Sequence, residues 1–159
     1  MPRAQLALRV SDLEASITFH SKLFGTEPAK RREGHANFAL TEPPFKLVLI
    51  EGEPGEETRL DHLGVEVEST DQVNAATTRL KDAGLATFEE NDTSCCYALQ
   101  DKVWVHGPGK EPWEVYVVKG DAGTLGKSAD PHATGDGCCT DQATEESPAA
   151  AGCACGRRS

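Results

Sequence analysis

The sequence predicts an α+β fold: two βαβββ modules whose strands form one mixed sheet curved around a cavity, followed by a flexible C-terminal tail. Three observations carry that expectation. A weak internal repeat opens "QLALRVSDLEAS" at Gln5 and "HLGVEVESTDQV" at His62. Each copy reads as an alternating strand, a capped helix and a run of short strands. Composition then changes at Gly120, beyond which Leu125 is the only large aliphatic residue and aromatics are absent. The modules are expected over about 3–54 and 58–119, making one domain of 1–119. Residues 120–159 hold too little apolar surface to offset the entropy of ordering.

The first strand alternates, with Leu6, Leu8 and Val10 on one face and Gln5, Ala7 and Arg9 on the other. Ser11 and Glu14 have capping-box spacing before a helix whose apolar stripe is Leu13, Ile17 and Leu23 or Phe24, ending at Gly25. Strands are expected at 35–40 and 46–51. In the second copy Leu63, Val65 and Val67 oppose His62, Gly64 and Glu66. Ser69 and Gln72 cap a helix carrying Val73, Ala76 and Leu80 that stops at Gly84. Strands follow at 87–90, 96–99, 102–106 and 113–118, the last with Val115 and Val117 on one face and Glu114, Tyr116 and Val118 on the other. Helices covering the apolar sets leave Gln5, His62 and Glu114 on the concave side, with room beside the small Ala7 and Gly64.

One imidazole, one carboxylate and one amide suit a divalent first-row metal, the neutral amide oxygen being the weakest of the three donors. The alternative is a hydrogen-bonded sheet histidine at 62 and a solvated edge acid at 114. The last strand of the first copy, "KLVLIE", has no acid where Glu114 falls in the second. Three protein donors would leave positions open for substrate, water or dioxygen, as catalytic sites do.

A net charge of −10 argues against nucleic acid or anionic membrane as partner, and the basic runs Lys30-Arg31-Arg32 and Arg157-Arg158 are too short to reverse it. No stretch approaches the ~18 apolar residues of a membrane span. The first residues lead straight into a strand pattern rather than a signal peptide, so a cytoplasmic location is expected. The six cysteines cluster as Cys95-Cys96, Cys138-Cys139 and Cys153/Cys155, and reduced clustered thiols suit soft metals or metalloids. Cys95 and Cys96 alone read as a buried structural pair, half a zinc site, a disulfide or a two-thiol trap. Neighbours in a regular strand point to opposite faces, so sharing one ligand requires Cys95 in the turn rather than the ladder, which Thr93-Ser94 favours. Cys96 can equally be a small buried hydrophobe. Lys102 is the candidate cation for raising the thiolate fraction. His20, His35, His106 and His132 read as structural or solvated, and Trp104, Trp113 and Phe45 as core or cavity wall.

The segments "SDLEASITFHSKLFGTEPAK", "KLVLIE", "HLGVEVEST", "TSCCYALQDKVWV" and "WEVYVV" resemble the organoarsenical carbon–arsenic lyases and the related cadmium-induced (CadI) proteins. These belong to the vicinal oxygen chelate superfamily of glyoxalases, bleomycin-resistance proteins and extradiol dioxygenases. The likeness runs from Gln5 to Val118. It implies a non-haem Fe(II)-dependent dioxygenase that cleaves the carbon–arsenic bond of trivalent organoarsenicals, converting methylarsenite to arsenite with O₂ as co-substrate. By the same resemblance Gln5, His62 and Glu114 would hold iron, with Ni, Co, Mn or Zn able to substitute, and Cys95 with Cys96 would bind arsenic. Lys102, Tyr116, Cys138 and Cys139 are accessory candidates. Glutamine stands where the superfamily more usually has histidine. Neither nucleic acid nor membrane is expected as partner, and the chain is expected to be a monomer or homodimer. The alternative function is non-catalytic binding of cadmium or another soft metal. Two thiols on one chain suit a monosubstituted As(III) centre because the second As–S bond is intramolecular, at an effective concentration of about millimolar.

Overall fold

In a computed structural model the described residues are 1–123. Cys138, Cys139, Cys153, Cys155 and most of the expected tail lie outside them. The chain runs β1 (Arg3–Val10), α1 (Leu13–Phe24), β2 (Lys30–Arg32), β3 (His35–Thr41), β4 (Pro44–Glu51), β5 (Arg59–Glu66), α2 (Thr70–Asp82), β6 (Phe88–Cys95), β7 (Ala98–His106) and β8 (Pro112–Asp121). All eight strands form one sheet in the order β2-β3-β4-β1-β5-β8-β7-β6. Each module is therefore βαβββ with the same internal order. Pairing is parallel for β1 with β4 and for β5 with β8, and antiparallel across the β1/β5 seam, so the modules join within one chain.

The helices explain how the concave face is left free. α1 buries Leu13 and Ile17 against Val10, Ala36, Phe38, Leu47 and Leu49, with Phe24 rather than the exposed Leu23 completing the stripe. α2 packs Val73 on Val103 and Val117. Ser69 Oγ accepts from Gln72 N at 3.3 Å while the Gln72 amide accepts from Glu68 N at 2.7 Å, and Gly84 takes the left-handed φ of 80° just past the helix.

Four local expectations change. The first helix is capped by Asp12, whose carboxylate accepts from Ala15 N at 2.9 Å, while Glu14 pairs with Arg31 instead of closing a box with Ser11. A short β2 precedes β3. No strand spans 96–99, because Cys96 and Tyr97 form the two-residue turn between β6 and β7, with Cys95 paired to Ala98. Val65 and Trp113 are 40% and 39% exposed, since α1 packs on β3 and β4 and α2 on β7 and β8, which leaves the middle of the convex face around the β1/β5 seam open.

Candidate functional site

Strand register brings the three candidate donors together. Gln5 of β1 lies opposite Gly64 of β5, and Gly64 opposite Glu114 of β8, so the two long side chains reach toward each other across a glycine. A Cβ at Gly64 would lie 3.2 Å from both Gln5 Nε2 and Glu114 Cγ. His62 sits two residues back on β5, opposite Ala7. The resulting triangle has edges of 3.1 Å from Gln5 Nε2 to His62 Nε2, 2.8 Å from Gln5 Nε2 to Glu114 Oε1, and 3.3 Å from His62 Nε2 to Glu114 Oε1.

Each corner is oriented by a second group. Asp61 Oδ2 lies 2.7 Å from His62 Nδ1, while Arg9 Nε donates to the other carboxylate oxygen, Oδ1, at 2.7 Å, so the imidazole turns Nε2 inward. Lys102 Nζ donates to Glu114 Oε2 at 2.8 Å, leaving Oε1 at the triangle. Tyr116 Oη contacts the Gln5 carbonyl oxygen and lies 2.9 Å from Glu66 Oε2. Burial and the neighbouring Glu66 and Glu114 push the Tyr116 hydroxyl up, so it stays protonated. Burial alone would raise the Glu114 carboxyl, but Lys102 and His62 hold it at about 2. Burial likewise opposes charge on His62, yet the hydrogen bonds to Asp61 and Glu114 carry it to about 9. Lys102 is 2% exposed and stays charged because the attraction of Glu114 outweighs its desolvation.

This set fits a divalent ion. Donors bound at ~2.1 Å and at right angles are about 3 Å apart, which matches one triangular face of an octahedron. A half-turn of the Gln5 amide puts its oxygen at the corner and its NH₂ against the Tyr116 hydroxyl, which can then accept from it while donating to Glu66. Among the described residues no three His, Cys, Asp or Glu side chains converge as a metal site, so the amide is essential to the set.

The thiol pair lies at the β6–β7 hairpin tip. Cys96 and Tyr97 hold φ of 53° and 60°, a primed two-residue turn. The sequence reading placed Cys95 in the turn. Cys95 is instead the last ladder residue, and the left-handed Cys96 breaks the strand alternation, so the two Sγ atoms come within 3.4 Å. Positive φ at non-glycine residues costs about 1–3 kcal/mol each. Contacts from the opposite module hold the strained turn: Lys30 Nζ donates to Tyr97 O at 2.8 Å, and Tyr97 Oη to Glu33 O at 3.3 Å. Lys102 pulls the Cys96 thiol down, as a nearby cation should, but the adjacent sulfur and burial push it up by more. The same lysine also holds Glu114.

A cavity of about 90 Å³ connects these groups, lined by Gln5, His62, Glu114, Cys95, Cys96 and Lys102 among others. The sequence reading missed three of its features. Asp61 orients His62 only because a register shift beside Ala7 lets neighbouring residues serve one site. His35, read as structural or solvated, is 1% exposed with neither ring nitrogen hydrogen-bonded. Burial, with Lys46 and Lys30 nearby, lowers it to about 4, so the ring is neutral. Gln100, also on the wall, has no partner for Oε1.

A half-open eight-stranded sheet of paired βαβββ modules, with candidate donors on both first strands and the last, is the architecture of a known class. The chain belongs to the Glyoxalase/Bleomycin resistance protein/Dioxygenase superfamily, whose family model matches residues 3–115. Within it, the chain is 66% identical over 155 residues to the trivalent organoarsenical cleaving enzyme of Thermomonospora curvata, covering 98% of this chain and 99% of that protein. It is 56% identical over 146 residues to the cadmium-induced protein CadI of Mycobacterium bovis, covering 89% and 95% respectively. Among solved structures, an extradiol ring-cleaving dioxygenase from B. fuscum shares the fold at a TM-score of 0.57 and 21% identity, over 77% of this chain and 34% of that one. No helix among the described residues is long and apolar enough to cross a membrane.

Proposed function

We propose that this chain cleaves the carbon–arsenic bond of trivalent organoarsenicals, converting methylarsenite to arsenite with Fe(II) and dioxygen. The observation that carries the reading is the pair of Sγ atoms 3.4 Å apart, opening into the same small cavity as the Gln5–His62–Glu114 triangle. The 66% identity to an organoarsenical cleaving enzyme supports it. Cys95 and Cys96 are the substrate ligands, because soft thiolates select soft centres. They fix arsenic at the hairpin tip so that its organic carbon extends toward the triangle, converting an encounter into a positioned pair. Gln5, His62 and Glu114 would hold the metal, whose chemistry when bound is the activation of dioxygen toward that carbon. Asp61 fixes the imidazole, Lys102 the carboxylate and Tyr116 the amide, so no ligand need reorient beyond the Gln5 half-turn. The Trp104 ring packs edge-on against His62, with centroids 5.3 Å apart, and steadies the imidazole.

The test is anaerobic incubation of Fe(II)-loaded protein with methylarsenite, followed by admission of air and measurement of arsenite by chromatography. Arsenite is expected only after O₂ enters, and undiminished release without it would overturn the dioxygenase reading. Stoichiometric Cd(II) binding with no product from any organoarsenical would instead favour soft-metal sequestration.

A further inference from the structure

The cavity holds more hydrogen-bonding capacity than the triangle and the thiols use. His35 is 1% exposed with both ring nitrogens unpaired, and Gln100 is 5% exposed with its Oε1 unpaired. Buried polar groups are rarely left without a partner, so these atoms are reserved for whatever fills the cavity. Both share the cavity wall with the thiols. The His35 ring lies edge-on to Tyr97, the residue after Cys96, with centroids 6.1 Å apart. The Gln100 Nε2 donates to Cys95 O at 3.2 Å, which leaves its Oε1 as the uncommitted end. The three lysines of the cavity wall are already engaged. Lys102 is on Glu114, Lys46 on Glu66 and Tyr116, and Lys30 on Asp121 and the Tyr97 carbonyl.

We infer that His35 and Gln100 form a hydrogen-bonding subsite that holds the arsenic-bound hydroxyls of a trivalent arsenical against the thiol pair until the thiols replace them. This rests on the reading of Cys95 and Cys96 as arsenical ligands. A neutral imidazole offers one donor and one acceptor, and Gln100 Oε1 offers an acceptor. Two hydroxyls on one As(III), each both donor and acceptor, match that set. The exchange is R–As(OH)₂ plus two Cys–SH giving R–As(S–Cys)₂ plus two H₂O. Two As–O and two S–H bonds break, two As–S and two O–H bonds form, and arsenic keeps its oxidation state. His35 and Gln100 orient the leaving hydroxyls toward the sulfurs that displace them. They touch the substrate's oxygens and not the metal.

The test uses the metal-free full chain in a Cys138→Ser, Cys139→Ser, Cys153→Ser, Cys155→Ser background. Stopped-flow tryptophan fluorescence follows methylarsenite uptake. Methyl methanethiosulfonate, which modifies thiols without bearing a hydroxyl, reports intrinsic thiol reactivity. His35→Phe and Gln100→Met are each expected to slow methylarsenite association about tenfold, the loss of roughly one well-placed buried hydrogen bond. Reaction with the thiosulfonate should stay within twofold. His35→Asn, which keeps a donor and an acceptor, should recover most of the rate, and His35→Leu replaces His35→Phe if the larger ring prevents folding. Unchanged methylarsenite association, or equal slowing of both reagents, overturns the subsite. Absence of methylarsenite uptake by the unsubstituted cavity overturns the thiol reading itself, a separate and distinguishable outcome.

Discussion

Replacing Gly64 with alanine perturbs the candidate metal triangle without touching any of its three donors. The new methyl would lie 3.2 Å from Gln5 Nε2, 3.2 Å from Glu114 Cγ and 3.3 Å from Gln5 Cβ. Unstrained carbon contacts settle near ~3.5–4.0 Å, so both side chains must retreat by about 0.3–0.8 Å. Metal–ligand distances tolerate only about ±0.2 Å. Gly64 is not in the left-handed region, so alanine adds crowding and not backbone strain. Overpacking of this kind costs about 1–3 kcal/mol. If that cost falls on the closed triangle, Fe(II) affinity drops about 5- to 150-fold. Anaerobic calorimetric titration of Fe(II) into the metal-free variant measures this, with thermal unfolding of the metal-free protein as the companion. Affinity within twofold of the unsubstituted chain would refute the triangle as the binding face. So would a variant whose stability falls while its affinity does not.

Two further outcomes follow from the groups around the triangle. Asp61→Asn removes the carboxylate that fixes His62 at 2.7 Å and is expected to weaken Fe(II) binding about 10- to 100-fold, measured by the same titration. In the metal-free protein His62 is protonated up to about pH 9, so seating a cation on Nε2 must expel that proton. Calorimetry at pH 7 in buffers of different ionisation enthalpy should therefore show release of about one proton per Fe(II), falling toward zero as pH rises through 9. No proton release at pH 7 would contradict the assignment of Nε2.

What the sequence revealed depended on regular periodicity. Alternation along β1, β5 and β8 put Gln5, His62 and Glu114 on one face because the pleat has a period of two and the register Gln5–Gly64–Glu114 keeps it. The Ser69–Gln72 spacing marked the second helix start for a similarly local reason. The illegible parts were those where periodicity breaks. A Cys-Tyr turn lacks the Asn-Gly chemistry that usually announces a primed hairpin, so the tip was read as a strand and the two cysteines were given reversed places. The register shift beside Ala7 hid Asp61. His35 belongs to β3, at the far side of the first module from the seam, and its relation to the thiols exists only because the hairpin reaches across to Glu33 and Lys30. The exposure of Val65 follows from where the helices dock, which no strand pattern encodes.

The central claim is that Cys95 and Cys96 together hold the arsenic of a trivalent organoarsenical. X-ray absorption at the arsenic edge tests it most directly, on the metal-free chain with the four cysteines at 138, 139, 153 and 155 replaced by serine and one equivalent of methylarsenite. Two As–S bonds and one As–C bond per arsenic are the expected result, falling to at most one As–S bond, with oxygen in the vacated position, in Cys95→Ser. An oxygen-dominated shell with both thiols present, or two As–S bonds that persist in Cys95→Ser, would contradict it.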